Sequence, residues 1–503
     1  MSLTSLADQF LNSAERHAER PALIHPEGEL SYQALLNRAL AFVRSDEWIS
    51  EPIELIPGHQ SLEEYIKIFA CLLSGKPYLP LNPKMPPTRV ANILKTIEPF
   101  IDRLRIADQN ASTKMINLAK QARLTQLAYI IFTTGSTGEP KGVPIAQAQL
   151  SRYCDILKTI LQPKSSDRVL QLGDLSFDIS MMAMAIAWPN GAALCTVPPQ
   201  HVLMAARYAE ELNVTIWLSV PSVISLSAKA GLLKPNSLPH IRLAIFGGEA
   251  LSYETAHLFS KAAPHARLFN FWGPTEGTIS LSHYEIDRAD LDCAMTSSKQ
   301  FSVVPIGRAH PGVQLALWDA PTMQFSQDVG ELCAHSEQIT SGYLHNNQEA
   351  GALLNESSFF MHKGKRWYRT GDRAQYDARD GYHYLGRVDR QIKLNGYRIE
   401  LAECEIALRQ ASGSDQVCVI PDPDSKTQNI VGLVGFIALS TTHSNSSKEE
   451  TLRQIERNLE AILPAYMIPS KLILIEALPL NIHGKVDYQA LLDKLKISNE
   501  YAQ

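Results

Sequence analysis

Cysteine is used sparingly in this 503-residue chain. The seven cysteines are scattered along the sequence, are odd in number and form no CxxC pair. This pattern argues against a disulfide framework and against a zinc site. It predicts buried free thiols in a reducing compartment.

Long apolar runs are also missing. The most apolar run, ISMMAMAIAW at 179–188, is closed by Pro189 and is too short to span a bilayer. The first residues, MSLTSLADQFLNSAERHAERPA, have no apolar signal core and predict an amphipathic helix. We therefore expect a cytoplasmic protein with no membrane partner.

The chain carries no excess of basic charge. Its formal net charge is −5, with acidic and basic residues mixed along the sequence, so nothing resembles the basic stripe of a nucleic-acid binder. We expect no nucleic-acid partner. A length of 503 residues with 45% hydrophobic residues gives ample core and predicts more than one domain.

Short β-rich apolar runs alternate with helical patterns over most of the chain. The helices are predicted at 147–161 and 252–263, the second with Ser252 as its N-cap. The strands are predicted at 127–132, 168–172, 215–220, 242–246 and 268–271. This alternation predicts an α/β fold, in which layers of helices cover mostly parallel sheets.

The pattern changes after about residue 386. GRVDRQIKLNGYRI predicts a short hairpin, and a helix is expected from Leu401. Two strands, a helix at 452–463 and a strand at 471–477 follow. We expect a large N-terminal domain, 1–386, and a small α+β C-terminal domain, 391–503, of the usual domain size.

One loop has the composition of a phosphate-binding segment. Residues 133–142 read TTGSTGEPKG, and glycines with hydroxyl side chains can converge donors on an anion. The loop does not fit a Walker A motif, because Lys141 follows Pro140 and precedes Gly142. Composition alone favours a surface turn, whereas the position between two strands favours a functional loop.

The whole string decides between these alternatives. YIIFTTGSTGEPKGV resembles the phosphate-binding signature of adenylate-forming enzymes, which comprise acyl-CoA ligases, luciferases and the adenylation domains of nonribosomal peptide synthetases. Further matches follow in that family's order and cover nearly the whole chain. They are LSYQAL (30–35), LLSGKPYLPLNPKMPPTRV (72–90), FNFWGPTEGTIS (269–280), GELCAHSEQITSGYL (330–344), YRTGD (368–372), GRVDRQIKLNGYRIELAECE (386–405) and NIHGKVD (481–487).

The resemblance implies a reaction in two halves, with ATP and Mg²⁺ as cofactors. A carboxylate attacks the α-phosphate of ATP, and a thiol then takes the acyl group. Because a carboxylate is already ionised at pH 7, the first half needs no general base, which fits the lack of a Ser/His/Asp arrangement. Catalysis would consist of holding ATP in line and neutralising charge.

The resemblance also assigns the nucleotide contacts. Thr275 would contact the α-phosphate and Glu276 would bind Mg²⁺. Trp272 would stack on adenine where the family usually has tyrosine. Five residues would hold the β- and γ-phosphates, namely Thr133, Thr134, Ser136, Thr137 and Lys141, and Asp372 with Arg387 would bind the ribose. Further nucleotide-binding residues would be Gly135, Gly138, Gly248, Asn270 and Phe271.

The C-terminal domain would supply the residues that enter and leave the active site during the reaction. Lys485 would bridge the carboxylate and phosphate oxygens, a role that suits charge greatest in the transition state. Residues 387–390 would form a hinge at Asp389, about which the small domain rotates after adenylation. Gly396 would line the pantetheine tunnel, and Arg398 would approach the phosphate.

LSFDISMM at 175–182 indicates the acid. Pattern alone leaves Asp178 equally well explained as a helix N-cap. In amino-acid-activating members, this aspartate pairs with the substrate's α-ammonium, so the resemblance favours an amino acid. The implied pocket is apolar and is formed by Asp178, Ile179, Met182, Leu218, Ile245, Gly247, Phe271, Ile279 and Ser280.

An apolar pocket disfavours charged substrate side chains and favours proline or a small to medium aliphatic or aromatic one. Stand-alone prolyl ligases and D-alanine ligases share this layout. Gly247 departs from the cysteine of the D-alanine ligases and is expected to leave room for a larger side chain. D-alanine stays an alternative, as does a CoA ligase for a non-amino acid or a scaffold without turnover.

No carrier segment or HHxxxDG condensation motif is found in the chain. We therefore expect a free-standing enzyme that serves a separate phosphopantetheinylated carrier protein. We expect it to be a monomer or a weak dimer.

Overall fold

The computed structural model describes residues 5–109, 127–134, 140–296, 303–423, 430–438, 448–480 and 486–500. The chain divides into two compact units. The first comprises 1–83, 95–132 and 142–388, and the second comprises 84–94, 133–141 and 389–503. The predicted boundaries at 386 and 391, with a hinge between them, stay a prediction.

The strands are short and are numbered here in chain order. They are β1 Pro21–His25, β2 Gly28–Ser31, β3 Glu54–Ile56, β4 Tyr78–Pro80, β5 Leu127–Thr133, β6 Lys141–Ala146, β7 Arg168–Gln171, β8 Ala193–Thr196, β9 Ile216–Ser219, β10 Leu243–Gly247, β11 Arg267–Trp272, β12 Ser282–Ile286, β13 Arg308–Ala309, β14 Gln314–Asp319, β15 Gln324–Ser326, β16 Val329–His335, β17 Phe359–His362, β18 Lys365–Asp377, β19 Gly381–Arg387, β20 Gln391–Leu394, β21 Tyr397–Glu400, β22 Val417–Pro423, β23 Ile430–Ala438 and β24 Lys471–Ile475.

The helices alternate with these strands in the first unit. The α-helices of the described residues are Leu6–Arg16, Tyr32–Val43, Asp46–Ser50, Leu62–Ser74, Pro87–Gln109, Gln147–Leu161, Asp178–Ala187, Ala205–Glu211, Pro221–Lys229, Tyr253–Ala262, Arg288–Thr296, Gln348–Ser358, Leu401–Ser412, Lys448–Glu460 and Tyr488–Glu500.

A nine-stranded sheet organises the first unit, in the order β13-β12-β11-β10-β9-β7-β8-β1-β2. Its central strands, from β1 to β11, pair in parallel. Alternate residues of these strands enter two different apolar cores. Leu218 and Ile245 enter one, and Trp217 and Ala244 enter the other. The strands are therefore buried on both faces, as in other parallel sheets covered by helices.

Two further sheets complete the first unit's strand pairing. One has the order β3-β4-β5-β6, with β3, β4 and β5 parallel. The other is antiparallel and runs β15-β14-β16-β18-β17, with β19 also paired to β18. The overall architecture confirms the predicted α/β fold with mostly parallel sheets.

The second unit has its own apolar core around β22-β23-β24 and the helices Leu401–Ser412 and Lys448–Glu460. The β20–β21 pair forms the predicted hairpin. Within this unit Arg89 and Glu403 form a buried ion pair. Three α-helices in the described part of this domain, together with a mixed three-stranded sheet, confirm the α+β character of the small domain.

Most predicted elements agree with the structure, and the exceptions have local causes. The helix predicted at 452–463 spans Lys448–Glu460 instead. Glu449 and Glu450 in its first turn favour the earlier start, and Pro464 disfavours helix just before it. Ser252 caps its helix as predicted, accepting from the Thr255 N–H at 3.1 Å.

All seven cysteines are free and six are buried, but Cys293 is exposed. The prediction of buried thiols is therefore wrong for that residue. Among the described residues, no helix combines the length and apolar character needed to cross a membrane.

Candidate active site

Four predicted pocket residues lie on one face of the nine-stranded sheet. Leu218 of β9 pairs with Ile245 of β10, and Gly247 pairs with Phe271 of β11. Because residues two apart in a strand share a face, these pairs lie on the same side. Leu218, Ile245 and Phe271 are buried in one apolar core with Met182 and Ile279.

The backbone of β11 passes close to Gly247. A Cβ placed on this residue would lie 3.0 Å from the Phe271 carbonyl oxygen, so a side chain at this position would be crowded by the neighbouring strand. The expectation that glycine here leaves room for a larger substrate side chain stays a prediction.

Asp178 begins the helix Asp178–Ala187, with Ile179 beside it and Met182 one turn further along. Its own side chain is half-buried. Three fully buried tyrosines lie near its charge. Burial raises the pKa of Tyr78, Tyr129 and Tyr153, and the negative charge of Asp178 adds to the increase.

The alternative that Asp178 is a helix N-cap is wrong, whereas its pairing with a substrate ammonium stays a prediction. Asp178 is the first residue of the helix rather than the N-cap, which is Phe177. An acidic side chain in the first helical turn is favoured by the helix dipole. The charge of the same carboxylate also acts on Tyr78, Tyr129 and Tyr153.

A polar pair lies beside this apolar pocket. The Tyr153 hydroxyl and Ser280 Oγ are hydrogen-bonded at 2.7 Å, and both residues are buried. The Phe271 ring contacts His283 and His310, each with 5.5 Å between ring centroids. Burial, followed by the charge of His283, lowers the pKa of His310 to about 3.

Both carboxylate oxygens of Asp372, the predicted ribose-binding residue, accept hydrogen bonds from other side chains. Trp272 Nε1 donates to Oδ2 at 2.9 Å and Arg387 donates to Oδ1 at 2.6 Å. Asp372 and Trp272 are buried, and Asp372 pairs with Arg387 across β18 and β19. The sequence predicted each residue but not the bond from Trp272, because the two residues are 100 positions apart.

The GPTE segment forms a single 3₁₀ turn, Thr275–Gly277. Thr275 is half-buried, whereas Glu276 is fully buried. The Tyr343 hydroxyl donates to Glu276 Oε1 at 2.6 Å and lies 3.2 Å from the Tyr368 hydroxyl. Tyr343 stands inside the matched GELCAHSEQITSGYL motif, which was the available signal, but no role was predicted for it.

Gly248 follows the last residue of β10, and Asn270 lies within the neighbouring strand β11. Gly248 has φ of +84°, a value that favours glycine, and it begins the turn out of β10. The Asn270 side chain lies on the sheet face opposite Phe271 and donates to the Pro305 carbonyl at 2.9 Å. Its nucleotide contact stays a prediction.

The second unit holds the described ends of the phosphate loop. The Thr134 hydroxyl donates to the Arg398 carbonyl at 3.1 Å, so these two predicted site residues are brought together. The Thr133 hydroxyl has no hydrogen-bond partner within the described part of the chain, and Lys141 is buried. Gly135, Ser136, Thr137, Gly138 and Lys485 lie outside the described residues.

The remaining predicted residues lie around the β20–β21 hairpin. Asn395 and Gly396 form its two-residue turn, with φ of +52° and +83°, the Asn-Gly pattern that such turns favour. Glycine at 396 is therefore explained by the turn itself, and its tunnel role stays a prediction. Asp389 is exposed and accepts from the Gln391 N–H at 3.1 Å.

The donor and acceptor sets fit ATP and Mg²⁺. Asp372, held by an indole N–H and a guanidinium, keeps lone pairs that can accept from a sugar diol. Glu276 offers a carboxylate oxygen, and Mg²⁺ prefers a few carboxylates together with phosphate oxygens. The fold and this site define an ATP-dependent, AMP-forming ligase.

Sequence comparison agrees with this class. The family profile described as AMP-binding enzyme matches residues 101–344, and the profile described as AMP-binding enzyme C-terminal domain matches 403–485. The chain belongs to the AMP-binding enzymes, and it uses ATP and Mg²⁺ as they do.

Two relatives resemble the chain over nearly its full length. The D-alanine–D-alanyl carrier protein ligase of Staphylococcus epidermidis is 30% identical over 491 residues, covering 94% of this chain and 96% of that protein. The ligase of the same name from Staphylococcus haemolyticus is 30% identical over 505 residues, covering 96% and 98%.

Solved structures agree with the fold. The adenylation domain AlmE of Vibrio cholerae, in complex with glycyl-adenosine-5'-phosphate, has a TM-score of 0.83 and 26% identity, covering 98% of this chain and 97% of that one. A holo NRPS protein containing adenylation and PCP domains has a TM-score of 0.76 and 25% identity, covering 98% and 84%.

Proposed function

We propose that the chain activates a small amino acid, D-alanine in the first place, as its aminoacyl-AMP. It then transfers the aminoacyl group to the phosphopantetheine thiol of a separate carrier protein. The names of the relatives support this alternative over proline or a larger aliphatic amino acid. The observation that carries the proposal is the position of Asp178 beside an apolar pocket.

The charge of Asp178 supports an amino acid over a plain carboxylic acid. A half-buried carboxylate attracts a cation more strongly than an exposed one, because bulk water screens the two charges less. A substrate α-ammonium supplies such a cation. A fatty or aryl acid brings none, so Asp178 would gain nothing from binding it.

The close packing around the predicted pocket supports a substrate with a small side chain. Phe271 is 3% exposed and its backbone passes close to Gly247. Met182 and Ile245 are also buried on this face. A methyl group needs little volume, whereas larger substrates would have to displace close-packed side chains.

Within the reaction, each group acts on charge or position. The substrate carboxylate attacks the α-phosphate, the P–O bond to pyrophosphate breaks, and aminoacyl-AMP forms. Asp372 would orient the ribose, Trp272 would stack on adenine and Thr275 would contact the α-phosphate. Glu276 would hold Mg²⁺, which would supply positive charge to the phosphates. Lys485 would bridge the reacting oxygens, and rotation at Asp389 would then admit the thiol beside Gly396.

The localisation and assembly predictions are part of the same proposal. Free thiols support a reducing, cytoplasmic setting. We propose a monomer or weak dimer as the working form.

ATP–pyrophosphate exchange with a panel of acids tests the proposal. D-alanine, L-alanine, glycine, L-proline and benzoate are compared in the wild type and in Asp178→Asn and Asp178→Ala. We expect D-alanine to support the fastest exchange. Both variants should lose at least about tenfold in kcat/KM for it, because a charged hydrogen bond is lost, while ATP binding persists.

Exchange with benzoate but with no amino acid would contradict the proposal. Glycine is the second candidate, favoured by the glycyl-adenylate bound to AlmE, and faster exchange with glycine than with D-alanine would select it. CoA-dependent release of AMP without a carrier protein would instead support a CoA ligase. Absence of exchange with every acid would support a scaffold without turnover.

A further inference from the structure

The pocket segment 277–280 contains an unusual backbone turn. Thr278 and Ile279 have φ of +58° and +76°. The Ser280 N–H donates to the Thr278 carbonyl at 3.0 Å, a bond that closes a three-residue turn around Ile279. A positive φ at the centre of this i to i+2 bond is the arrangement of the rare and strained γ-turn.

Isoleucine is an unfavourable residue for such a position. A β-branched side chain at positive φ is a genuine outlier, and strain of this kind persists only when the surroundings impose it. Ile279 is nevertheless buried, with 7% of its surface exposed. Its side chain belongs to the same apolar core as Phe271 and Met182.

Gln338 is hydrogen-bonded to this turn through both its side chain and its backbone. Its Nε2 donates to the Gly277 carbonyl at 3.4 Å and to the Ser280 carbonyl at 3.3 Å. Its backbone carbonyl accepts from the Thr278 hydroxyl at 2.6 Å. Gln338 is fully buried, so water does not compete for these bonds.

Segment 277–280 lies between the predicted Mg²⁺ ligand and the predicted amino-acid pocket. Glu276 precedes the segment, and its carbonyl accepts from the Thr340 N–H at 2.8 Å, two residues beyond Gln338. Ser280 is the last residue of the segment and is hydrogen-bonded to Tyr153. A change in the turn would therefore move the pocket wall first, while Glu276 keeps its separate bond from Tyr343.

We propose that Gln338 is a positioning residue that holds Ile279 in its strained conformation and thereby sets the wall of the amino-acid pocket. The proposal deepens the proposed function and rests on it for the identity of the acid. Gln338 acts through the turn carbonyls and touches neither ATP nor the reacting atoms.

Exchange kinetics of Gln338→Met test the proposal. Methionine keeps the length of the side chain and removes the amide donors. We expect KM for the amino acid to rise about tenfold, comparable to the loss of one to two hydrogen bonds, and KM for ATP to change by less than about twofold. Gln147→Met is the matched control, since Gln147 is buried and its Nε2 donates to the Leu127 carbonyl.

A double-mutant cycle separates positioning from general packing. Glycine adopts positive φ without strain. In Ile279→Gly the turn therefore no longer depends on the hydrogen bonds from Gln338. The effect of Gln338→Met on the amino-acid KM should therefore shrink severalfold in the Ile279→Gly background. If Gln338→Met does not fold, Thr278→Val provides a second test. It removes the hydrogen bond from the Thr278 hydroxyl to the Gln338 carbonyl without altering Gln338, and we expect the same selective rise in the amino-acid KM.

Equal rises in both KM values, an unchanged amino-acid KM, or additive effects in the cycle would overturn the proposal. The measurements use whichever acid the wild type activates best. Failure of D-alanine as a substrate therefore contradicts the proposed function without deciding the role of Gln338.

Discussion

The indole N–H of Trp272 donates to Asp372, the predicted ribose-binding residue, and the loss of this bond can be measured. In Trp272→Phe an aromatic face remains for adenine, but Asp372 Oδ2 loses the donor that lies 2.9 Å away. Phenylalanine is smaller than tryptophan and cannot reach the carboxylate. The change therefore separates stacking from orientation of the ribose ligand.

The structure sets the expected size of the effect. A hydrogen bond to a charged group contributes about 1.5–3 kcal/mol, and a buried acceptor left without its donor costs a similar amount. Arg387 still holds Oδ1 at 2.6 Å, so the carboxylate keeps one strong anchor and the lower end applies. A loss of about 1.5 kcal/mol corresponds to roughly tenfold weaker ATP binding.

Titration calorimetry with Mg·ATP measures this loss directly, and the KM for ATP in pyrophosphate exchange provides a second readout. Trp217→Phe is the matched control. Trp217 is also fully buried, and its Nε1 donates to Ser219 Oγ at 2.8 Å in the other core. ATP affinity within twofold of wild type in Trp272→Phe, or an equal loss in the control, would refute the reasoning.

Two further predictions concern the neighbours of Glu276 and Phe271. Tyr343→Phe removes the hydroxyl bonded to Glu276 at 2.6 Å; we expect the Mg²⁺ concentration for half-maximal exchange to rise about threefold to tenfold. His310 has a folded-state pKa of about 3 against about 6.5 unfolded, so the unfolded chain binds more protons between these values. Stability should fall by about 2 kcal/mol from pH 7 to 5 through this group, and His310→Leu should reduce that fall in urea unfolding.

Each of these predictions has an outcome that contradicts it. Unchanged Mg²⁺ dependence in Tyr343→Phe would mean that the phenol does not orient Glu276. Tyr376→Phe, at an exposed tyrosine of β18, controls for the loss of a hydroxyl. If His310→Leu lost as much stability at pH 5 as the wild type does, other groups would carry the acid sensitivity.

The sequence predicted the fold well because its signals are local. The runs that became β7, β9, β10 and β11 are short, apolar and separated by helical patterns. Motif order along the chain also identified Asp178 and the apolar pocket positions as candidate residues, and four of the latter lie on one sheet face. These signals need no knowledge of which distant residues meet.

Contacts between distant segments could not be predicted in the same way. The bond from Trp272 to Asp372, and the hydrogen bonds from Gln338 to a turn about sixty residues earlier, depend on how the sheets pack. Gly247 illustrates the same limit. Its missing side chain suggested free volume, and only the structure shows how closely the Phe271 carbonyl oxygen of the next strand approaches this position.

Strand β11 carries Phe271, a predicted acid-pocket residue, next to Trp272, which is bonded to the predicted ribose-binding residue Asp372. If both predictions hold, selectivity for the acid and affinity for ATP are coupled through one peptide. A substitution that enlarges the pocket at Phe271 is then expected to shift Trp272 as well. Redesign for a bulkier substrate would start more safely at Met182, on a helix that is separate from that strand.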